Sequence, residues 1–229
     1  MTPKTIAILG GTGHEGSGLG LRWARAGHAV LIGSRTPEKA VAAAAELNSK
    51  SGVQPRPEGA PPPVRGLENA AAARAAEIVV LTVPYAAHRA TLEAVRDAVQ
   101  GKIFVDVTVP LVPPKVTRVQ LPAGGSASLE AQALLGPDVR VVTAFQNISA
   151  EHLKDPDRAI DCDVLVCGDD KDAKAVVIQL AADAGMRAWD AGPLVNSVVP
   201  EGLTSILIGL NIRYKAKAMG IKITGLDET

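Results

Sequence analysis

Short apolar runs alternate with longer stretches of helical pattern along most of the chain. The first run, Thr5–Leu9, is rich in β-branched residues, as expected of a strand buried on both faces of a parallel sheet. A glycine-rich turn, a helical segment at 19–26 and a second apolar run at 29–32 follow it. This order predicts a strand–helix–strand unit at the start of the chain.

The same alternation continues as far as Asp190. Helical patterns occupy segments 38–48, 67–76, 89–99 and 172–184, and Ser126 or Ser128 can cap a further helix that ends at Leu135. Apolar runs predict strands near Val64, inside the proline-rich loop 54–66, and at 77–83, 103–107, 140–144, 164–167 and 187–190. We predict an α/β fold, a Rossmann-like doubly wound parallel sheet of roughly seven or eight strands, followed by a small C-terminal helical part.

The C-terminal part breaks the alternation, so we divide the chain into a dinucleotide-binding domain, 1–191, and a small helical segment, 192–229. Five apolar side chains fall at helical spacing on one face of that segment: Leu203, Ile206, Leu207, Leu210 and Tyr214. This is more apolar surface than one sheet edge covers. We therefore expect the helix to help form a homodimer interface.

The glycine-rich turn is the first feature that points to chemistry. Residues Gly11, Gly13 and Gly16 have the G-x-G-x-x-G spacing, between a predicted strand and a predicted helix. In that setting the spacing indicates a dinucleotide site, with a pyrophosphate held by backbone N–H groups at the positive end of the helix. The predicted cofactor contacts in this turn are Gly11, Thr12, Gly13, His14 and Glu15.

The end of the second strand indicates which dinucleotide is bound. A chain specific for NAD carries Asp or Glu there to bind the ribose hydroxyls, but no acid lies between His28 and Glu38. Instead the chain has Ser34 and Arg35, with Lys39 one helical turn further on. A hydroxyl, a guanidinium and an ammonium group suit a dianionic 2′-phosphate. We predict an NADP site.

Composition and charge exclude several other classes. The 229 residues include 24 Lys and Arg and 24 Asp and Glu, so the formal net charge is zero, which argues against nucleic acid or an anionic membrane as the main partner. Cys162 and Cys167 are not part of a metal-binding sequence motif, and we expect them to be buried, reduced thiols. We see no signal peptide and no apolar run of membrane-spanning length, and expect a cytoplasmic protein without a membrane partner.

Few side chains are placed to move protons. His14, His28 and His152 are expected to be structural or solvated, and His88, close to the predicted nicotinamide site, is also more readily explained as structural. Asp106 could contact a ligand or cap a turn, and both readings stay open. No metal site and no catalytic side chain are predicted.

Several segments together resemble the F420-dependent NADP oxidoreductases. They are ILGGTGHEGSGLGLRWARAGHAVLIGSR, LTVPYAAH, VCGDD, DAGPLVNS and GIKITG, and they span nearly the whole chain. The resemblance implies hydride transfer between NADP(H) and the deazaflavin coenzyme F420, used as a co-substrate, in a protein that is usually a dimer. It also implies that the turn at Val83 and Pro84 borders the nicotinamide.

One position departs from the family pattern. Some members have a His in the loop after the sixth strand, where this chain has Gln146, a side chain that can hydrogen-bond but cannot carry a proton at neutral pH. For the deazaflavin we nominate Gln146, Asn147, Ile148 and Asn196, and we expect apolar loops at 107–112 and 194–199 to hold its ring. The alternatives are another NADP-dependent reductase, of imines or hydroxy acids, and a non-catalytic NADPH sensor.

Overall fold

The computed structural model describes residues 2–50, 52–54 and 60–225. In this part of the chain, eight strands form one sheet in the order β3-β2-β1-β4-β5-β6-β7-β8. Their bounds are β1 Thr5–Leu9, β2 Ala29–Ser34, β3 Val64–Glu68, β4 Ile78–Leu81, β5 Ile103–Asp106, β6 Arg140–Thr143, β7 Val164–Gly168 and β8 Ala188–Asp190. The predicted α/β fold class is confirmed. Residues 55–59, in the centre of the loop predicted at 54–66, lie outside the described residues.

Within the described ranges, eight helices accompany the strands, and those between β1 and β6 cover both faces of the sheet. They are α1 His14–Arg25, α2 Pro37–Asn48, α3 Asn69–Ala75, α4 Tyr85–Val95, α5 Ala127–Leu135, α6 Ala150–Leu153, α7 Lys171–Asp183 and α8 Val198–Arg213. Short 3₁₀ turns at Arg96–Ala98 and Leu194–Ser197 extend α4 and precede α8. Two apolar layers, one on each face of the sheet, make up the core.

The sheet is not parallel throughout. β7 runs antiparallel to β6, with Val142 opposite Gly168 and Thr143 opposite Cys167, whereas every other neighbouring pair is parallel. A parallel neighbour needs a crossover long enough to return the chain to the opposite edge. The connection 144–163 has the length of a crossover, but the four-residue α6 within it packs on α1, and the chain enters β7 from the same edge at which β6 ends. The prediction of a wholly parallel sheet is therefore wrong at this pair.

Three predicted helix starts also change. α1 begins at His14 rather than at 19, because the glycine turn leads directly into the helix. α3 begins at Asn69 rather than at 67, because Leu67 pairs with β2 and the Glu68 carboxylate accepts hydrogen bonds from the N–H groups of the first helical turn. α4 begins at Tyr85, directly after Pro84, rather than at 89.

The C-terminal helix α8 is tied to the rest of the molecule by buried polar groups. The Glu201 carboxylate accepts hydrogen bonds from the N–H groups of Ala127 and Ser128, at 2.7 and 3.1 Å, and so binds the positive end of α5. The hydroxyls of Ser126 and Ser197 lie 2.6 Å apart beside it. These contacts place the start of α8 over α5.

By length and composition alone, Leu194–Arg213 is long and apolar enough to span a membrane, and 28% of an 18-residue window within it is buried. We had expected no run of that length, so this finding corrects the sequence analysis. Of the five apolar residues predicted on one face of α8, Leu207 is buried, while Ile206 and Tyr214 are exposed. The buried Glu201 ties this helix to the folded domain.

Candidate cofactor-binding site

A cavity of about 660 Å³ lies at the carboxyl ends of the parallel strands. It sits where the strand order reverses, between β1 and β4, which is where open α/β sheets bind ligands. Loops after β1 to β6 supply its wall, together with Thr204 from α8. The cavity therefore gathers residues from distant parts of the chain at one edge of the sheet.

The glycine turn forms one end of the cavity. Gly10 has φ of +77°, and a Cβ there would lie 2.7 Å from the Val83 side chain, so the tight turn after β1 requires glycine at this position. A Cβ on Gly16 would lie 2.6 Å from the Thr82 hydroxyl and 2.7 Å from the Gly11 backbone. This explains the close packing expected of the third motif glycine.

Helix α1 points its first turn at the cavity. Its N-cap residue, Gly13, has no side chain with which to bind the N–H groups of that turn. Thr12, Gly13, His14 and Glu15 all line the cavity, whereas Gly11 is buried beneath the turn and is not part of the wall. The unpaired N–H groups and the helix dipole make this end suitable for a phosphate.

The predicted cationic corner lies along the same wall. Ser34, Arg35, Thr36 and Lys39 line the cavity at the end of β2. Arg35 and Lys39 are exposed, and neither forms an ion pair within the described part of the chain. The Ser34 hydroxyl accepts a hydrogen bond from the N–H group of Thr36, which begins the turn into α2. Two uncompensated cations beside a buried hydroxyl can bind an anionic group.

Asn69 also borders this corner, although it was not among the predicted site residues. Its side chain lines the cavity, and its Oδ1 is buried without a hydrogen-bond partner among the described residues. A Cβ on Gly33 would lie 2.8 Å from that oxygen, so the glycine leaves room for the amide. Asn69 follows β3, and the prediction of a helix from 67 concealed its place at a strand end.

Val83 and Pro84, the predicted border of the nicotinamide, line the cavity. The Thr108 hydroxyl donates to the Val83 carbonyl at 3.4 Å, and the Asp106 carboxylate accepts from the Thr108 N–H group at 3.0 Å. These bonds join the loop after β4 to the loop after β5. The Asp106 carboxylate thus caps a turn, which is the structural one of the two roles that the sequence left open.

A buried hydrogen-bonded pair of side chains supports these two loops from below. His88 Nε2 lies 2.7 Å from Asp106 Oδ2, and both side chains are almost fully buried. Burial lowers the pKa of His88, but the hydrogen bond and charge of Asp106 and the more distant Glu130 and Glu201 outweigh it and raise the pKa. His88 is not among the residues that line the cavity. This buried position against Asp106, outside the cavity wall, fits the structural role expected for His88.

The loop after β6 presents an amide to the cavity. Phe145 has φ of +75°, a conformation that costs a non-glycine residue about 1–3 kcal/mol, and its ring packs edge-on against Trp23. The next residue, Gln146, is 4% exposed and donates from Nε2 to the Asp106 carbonyl at 2.6 Å. Its Oε1 has no partner among the residues described and can accept a hydrogen bond from a ligand.

The other three residues nominated for the deazaflavin lie in different environments. Ile148 lines the cavity beside Gln146. Asn147 points into the core, where its amide donates to the Asp163 carbonyl at 2.8 Å. Asn196 is exposed, donates to the Ala191 carbonyl, and is not part of the cavity wall.

The apolar wall comes partly from where it was expected. Val107, Val109 and Leu111 line the cavity, but no residue of 194–199 does. Thr204 takes that place, and its hydroxyl donates to the Gln146 carbonyl at 2.7 Å. No sequence signal marked Thr204, because its contact with the loop after β6 depends on how α8 docks. Within the described residues, no group of three or more His, Cys, Asp or Glu could hold a metal.

Comparison with known proteins decides the family. Residues 5–110 match the family model described as NADP oxidoreductase, coenzyme F420-dependent. The chain is also 44% identical over 229 aligned residues to the F420-dependent NADP reductase of Methanocaldococcus jannaschii, with 97% of this chain and 99% of the relative covered. The chain belongs to the F420-dependent NADP oxidoreductase family.

Solved structures agree with this family assignment. A protein from Arthrobacter sp. FB24, provisionally named an F420-dependent NADP-reductase, superposes with a TM-score of 0.76 at 28% identity, covering 96% of this chain and 99% of that one. An imine reductase from Myxococcus stipitatus superposes with a TM-score of 0.57 at 16% identity. The imine reductase shares the fold alone, and the alignment covers 94% of this chain but 61% of that longer protein.

Proposed function

We propose that this member of the F420-dependent NADP oxidoreductase family transfers a hydride between NADP(H) and coenzyme F420 in the cavity at the carboxyl edge of the sheet. The near full-length similarity to the Methanocaldococcus jannaschii reductase carries the proposal. The cavity supports it, because a cationic, glycine-lined end and an apolar end with a free amide oxygen share one space.

The cationic end fits the nucleotide. The first turn of α1 and the glycine backbone hold the pyrophosphate, and Ser34, Arg35 and Lys39 hold the 2′-phosphate. Asn69 offers an unpaired buried oxygen to the same half of the ligand. Each assignment follows from a polar group that lines the cavity.

The apolar end fits the two reacting rings. Val83 and Pro84 border the nicotinamide, and Val107, Val109 and Ile148 exclude water from the space beside it. The free Oε1 of Gln146 accepts a hydrogen bond from an N–H group of a carboxamide or a deazaflavin ring. The Thr204 hydroxyl and the Asp106 carbonyl hold Gln146 in this position.

The chain contributes orientation rather than a proton relay. When bound, the nicotinamide and the deazaflavin supply the carbons between which the hydride moves. Gln146, Thr108 and Thr204, which lie at the apolar end, carry no charge at neutral pH. Holding two partners at contact distance contributes up to about 7–11 kcal/mol in well-oriented reactions.

Anaerobic absorbance of the purified protein with NADPH and oxidised F420 tests the proposal. Fast loss of the oxidised deazaflavin band with NADPH, and slow loss with NADH, is expected because the cationic corner selects the 2′-phosphate. A band that persists while NADPH binds would contradict the F420 reaction and favour another NADP-dependent reductase or a sensor.

We also propose that a second copy of the chain covers the outer face of α8. The segment 195–214 carries large apolar side chains that are each at least half exposed: Val195, Val199, Ile206, Ile212 and Tyr214. Val119, from the neighbouring loop, lies beside Gly202 of α8 and is also exposed. Exposed apolar surface of this kind is typical of a subunit interface.

A further inference from the structure

Glu15 brings into the cavity one carboxyl oxygen that is buried without a partner among the described residues, while the residue as a whole is only partly buried. Glu15 lies in the first turn of α1 and lines the cavity, and its Oε1 is buried with no hydrogen-bond partner anywhere in the described ranges. A buried carboxyl group is normally paired or hydrogen-bonded, because desolvating an isolated carboxylate is costly. An unpaired one inside a ligand cavity calls for a functional explanation.

Helix geometry places Glu15 on the side of α1 that faces α6 and the loop after β6. It shares a face of α1 with Gly18 and Leu19, three and four residues further on. Leu19 is fully buried, and a Cβ on Gly18 would lie 2.5 Å from Cβ of Leu153 in α6, so this face of α1 packs against the core and α6. The residues leading into α6 that line the cavity, Phe145, Ile148 and Ala150, belong to the apolar end.

Charged groups around Glu15 do not compensate it. The charged groups on the elements beside it are His14 on α1 itself and Glu151, His152 and Lys154 on or beside α6, while Arg35 and Lys39 lie elsewhere along the cavity wall. Beneath the loops after β4 and β5, His88 and Asp106 are already paired with each other. Burial alone raises the pKa of Glu15 to about 8.

We propose that Glu15 couples a proton to the charge of the bound nicotinamide ring, keeping the proton beside neutral NADPH and releasing it to solvent beside cationic oxidised NADP. This inference rests on the proposed function, since it takes the apolar end of the cavity to hold the nicotinamide. A carboxylate stabilises a positive ring at close range in a site of low dielectric, whereas a neutral carboxylic acid suits a neutral ring. Glu15 is a positioning and binding residue in this account and gives no proton to either substrate.

The linkage has a definite sign. Binding of oxidised NADP releases a proton from Glu15, so its affinity increases as pH rises towards the pKa of the free carboxyl group. Binding of NADPH favours the protonated form, so its affinity decreases above that pKa. The ratio of the dissociation constant of oxidised NADP to that of NADPH therefore falls with rising pH. Titration of the 2′-phosphate, with a pKa near 6, is common to both nucleotides and cancels in the ratio.

The test measures both dissociation constants by calorimetric titration, with no F420 present. For the wild-type protein, the ratio should fall at least about tenfold between about pH 7 and about pH 9, because one coupled proton gives up to about tenfold per pH unit. In Glu15→Gln, which keeps the size but cannot ionise, the ratio should not change with pH. Titrations in two buffers of different ionisation enthalpy should also detect proton release by the wild type on binding oxidised NADP.

Glu151→Gln is the matched control, because it removes a carboxylate from the exposed side of α6 and should keep the wild-type slope. A wild-type ratio that does not change with pH would overturn the inference, as would a slope that persists in Glu15→Gln. If both dissociation constants rose in parallel with pH, Glu15 would sense the phosphates rather than the ring, which also overturns it. Failure of the wild type to bind either nucleotide would instead contradict the proposed function.

Discussion

Gln146 and Asn147 are neighbours with similar chemistry and opposite positions. Gln146 faces the cavity with a free oxygen, while Asn147 is hydrogen-bonded in the core. The left-handed conformation of Phe145 turns the chain just before them and so decides which amide faces inward. The sequence identified both side chains as candidates, but the backbone conformation that separates them depends on packing between Phe145 and Trp23.

The cationic corner gives a prediction about nucleotide choice. Replacing Arg35 and Lys39 together with Gln should raise the Michaelis constant for NADP far more than that for NAD, because only NADP carries the 2′-phosphate. Each lost charge-assisted hydrogen bond costs about 1.5–3 kcal/mol, or about ten- to a hundredfold in affinity. Steady-state kinetics with both nucleotides measures the difference.

The double variant Arg74→Gln and Arg96→Gln is the matched control. Both residues are exposed near the C-terminal ends of the helical segments that follow β3 and β4, away from the carboxyl edge of the sheet. The control removes the same charge and should leave both Michaelis constants unchanged. An equal rise in the Michaelis constants for NADP and NAD in the Arg35 and Lys39 variant would show that this corner does not bind the 2′-phosphate.

Among the elements, the strand–turn–helix unit at the start of the chain was the most predictable, because its signals are local. The connection from β6 to β7 was the least predictable. Its residues are held by Arg22, whose guanidinium donates to the carbonyls of His152, Leu153 and Asp155, far away in sequence. Contacts of this kind leave no periodic pattern, so the antiparallel β7 and the short α6 could not be read from the sequence.

Helix α8 gives a prediction about assembly. Replacing Val199 and Ile206, 60% and 50% exposed on its outer face, with Lys should shift the protein from dimer to monomer, because two buried charges would oppose association. Sedimentation velocity at micromolar concentration measures the change. Val41→Lys is the control, since Val41 is 57% exposed on α2, far from this face, and should leave the oligomer intact. A wild-type monomer would refute the proposed interface.

At the level of the whole molecule, one cavity collects loops that follow six strands and a residue of the C-terminal helix. The sequence predicted the glycine turn, the cationic corner and the turn at Val83, because each is a short motif at a strand end. It missed Asn69 and Thr204, which reach the cavity through the start of α3 and the docking of α8. The central claim is that NADP(H) and F420 meet in this single space and exchange a hydride without a protein relay.

The most direct test of that claim uses NADPH deuterated, in separate samples, at each of the two hydrogens on its reactive ring carbon. A nicotinamide held against one wall offers one face to F420, so we predict complete transfer of deuterium to reduced F420 from one isomer and none from the other. Mass spectrometry of the reduced F420 measures the transfer. Deuterium lost to water, or partial transfer from both isomers, would contradict direct transfer between two rings held in one cavity.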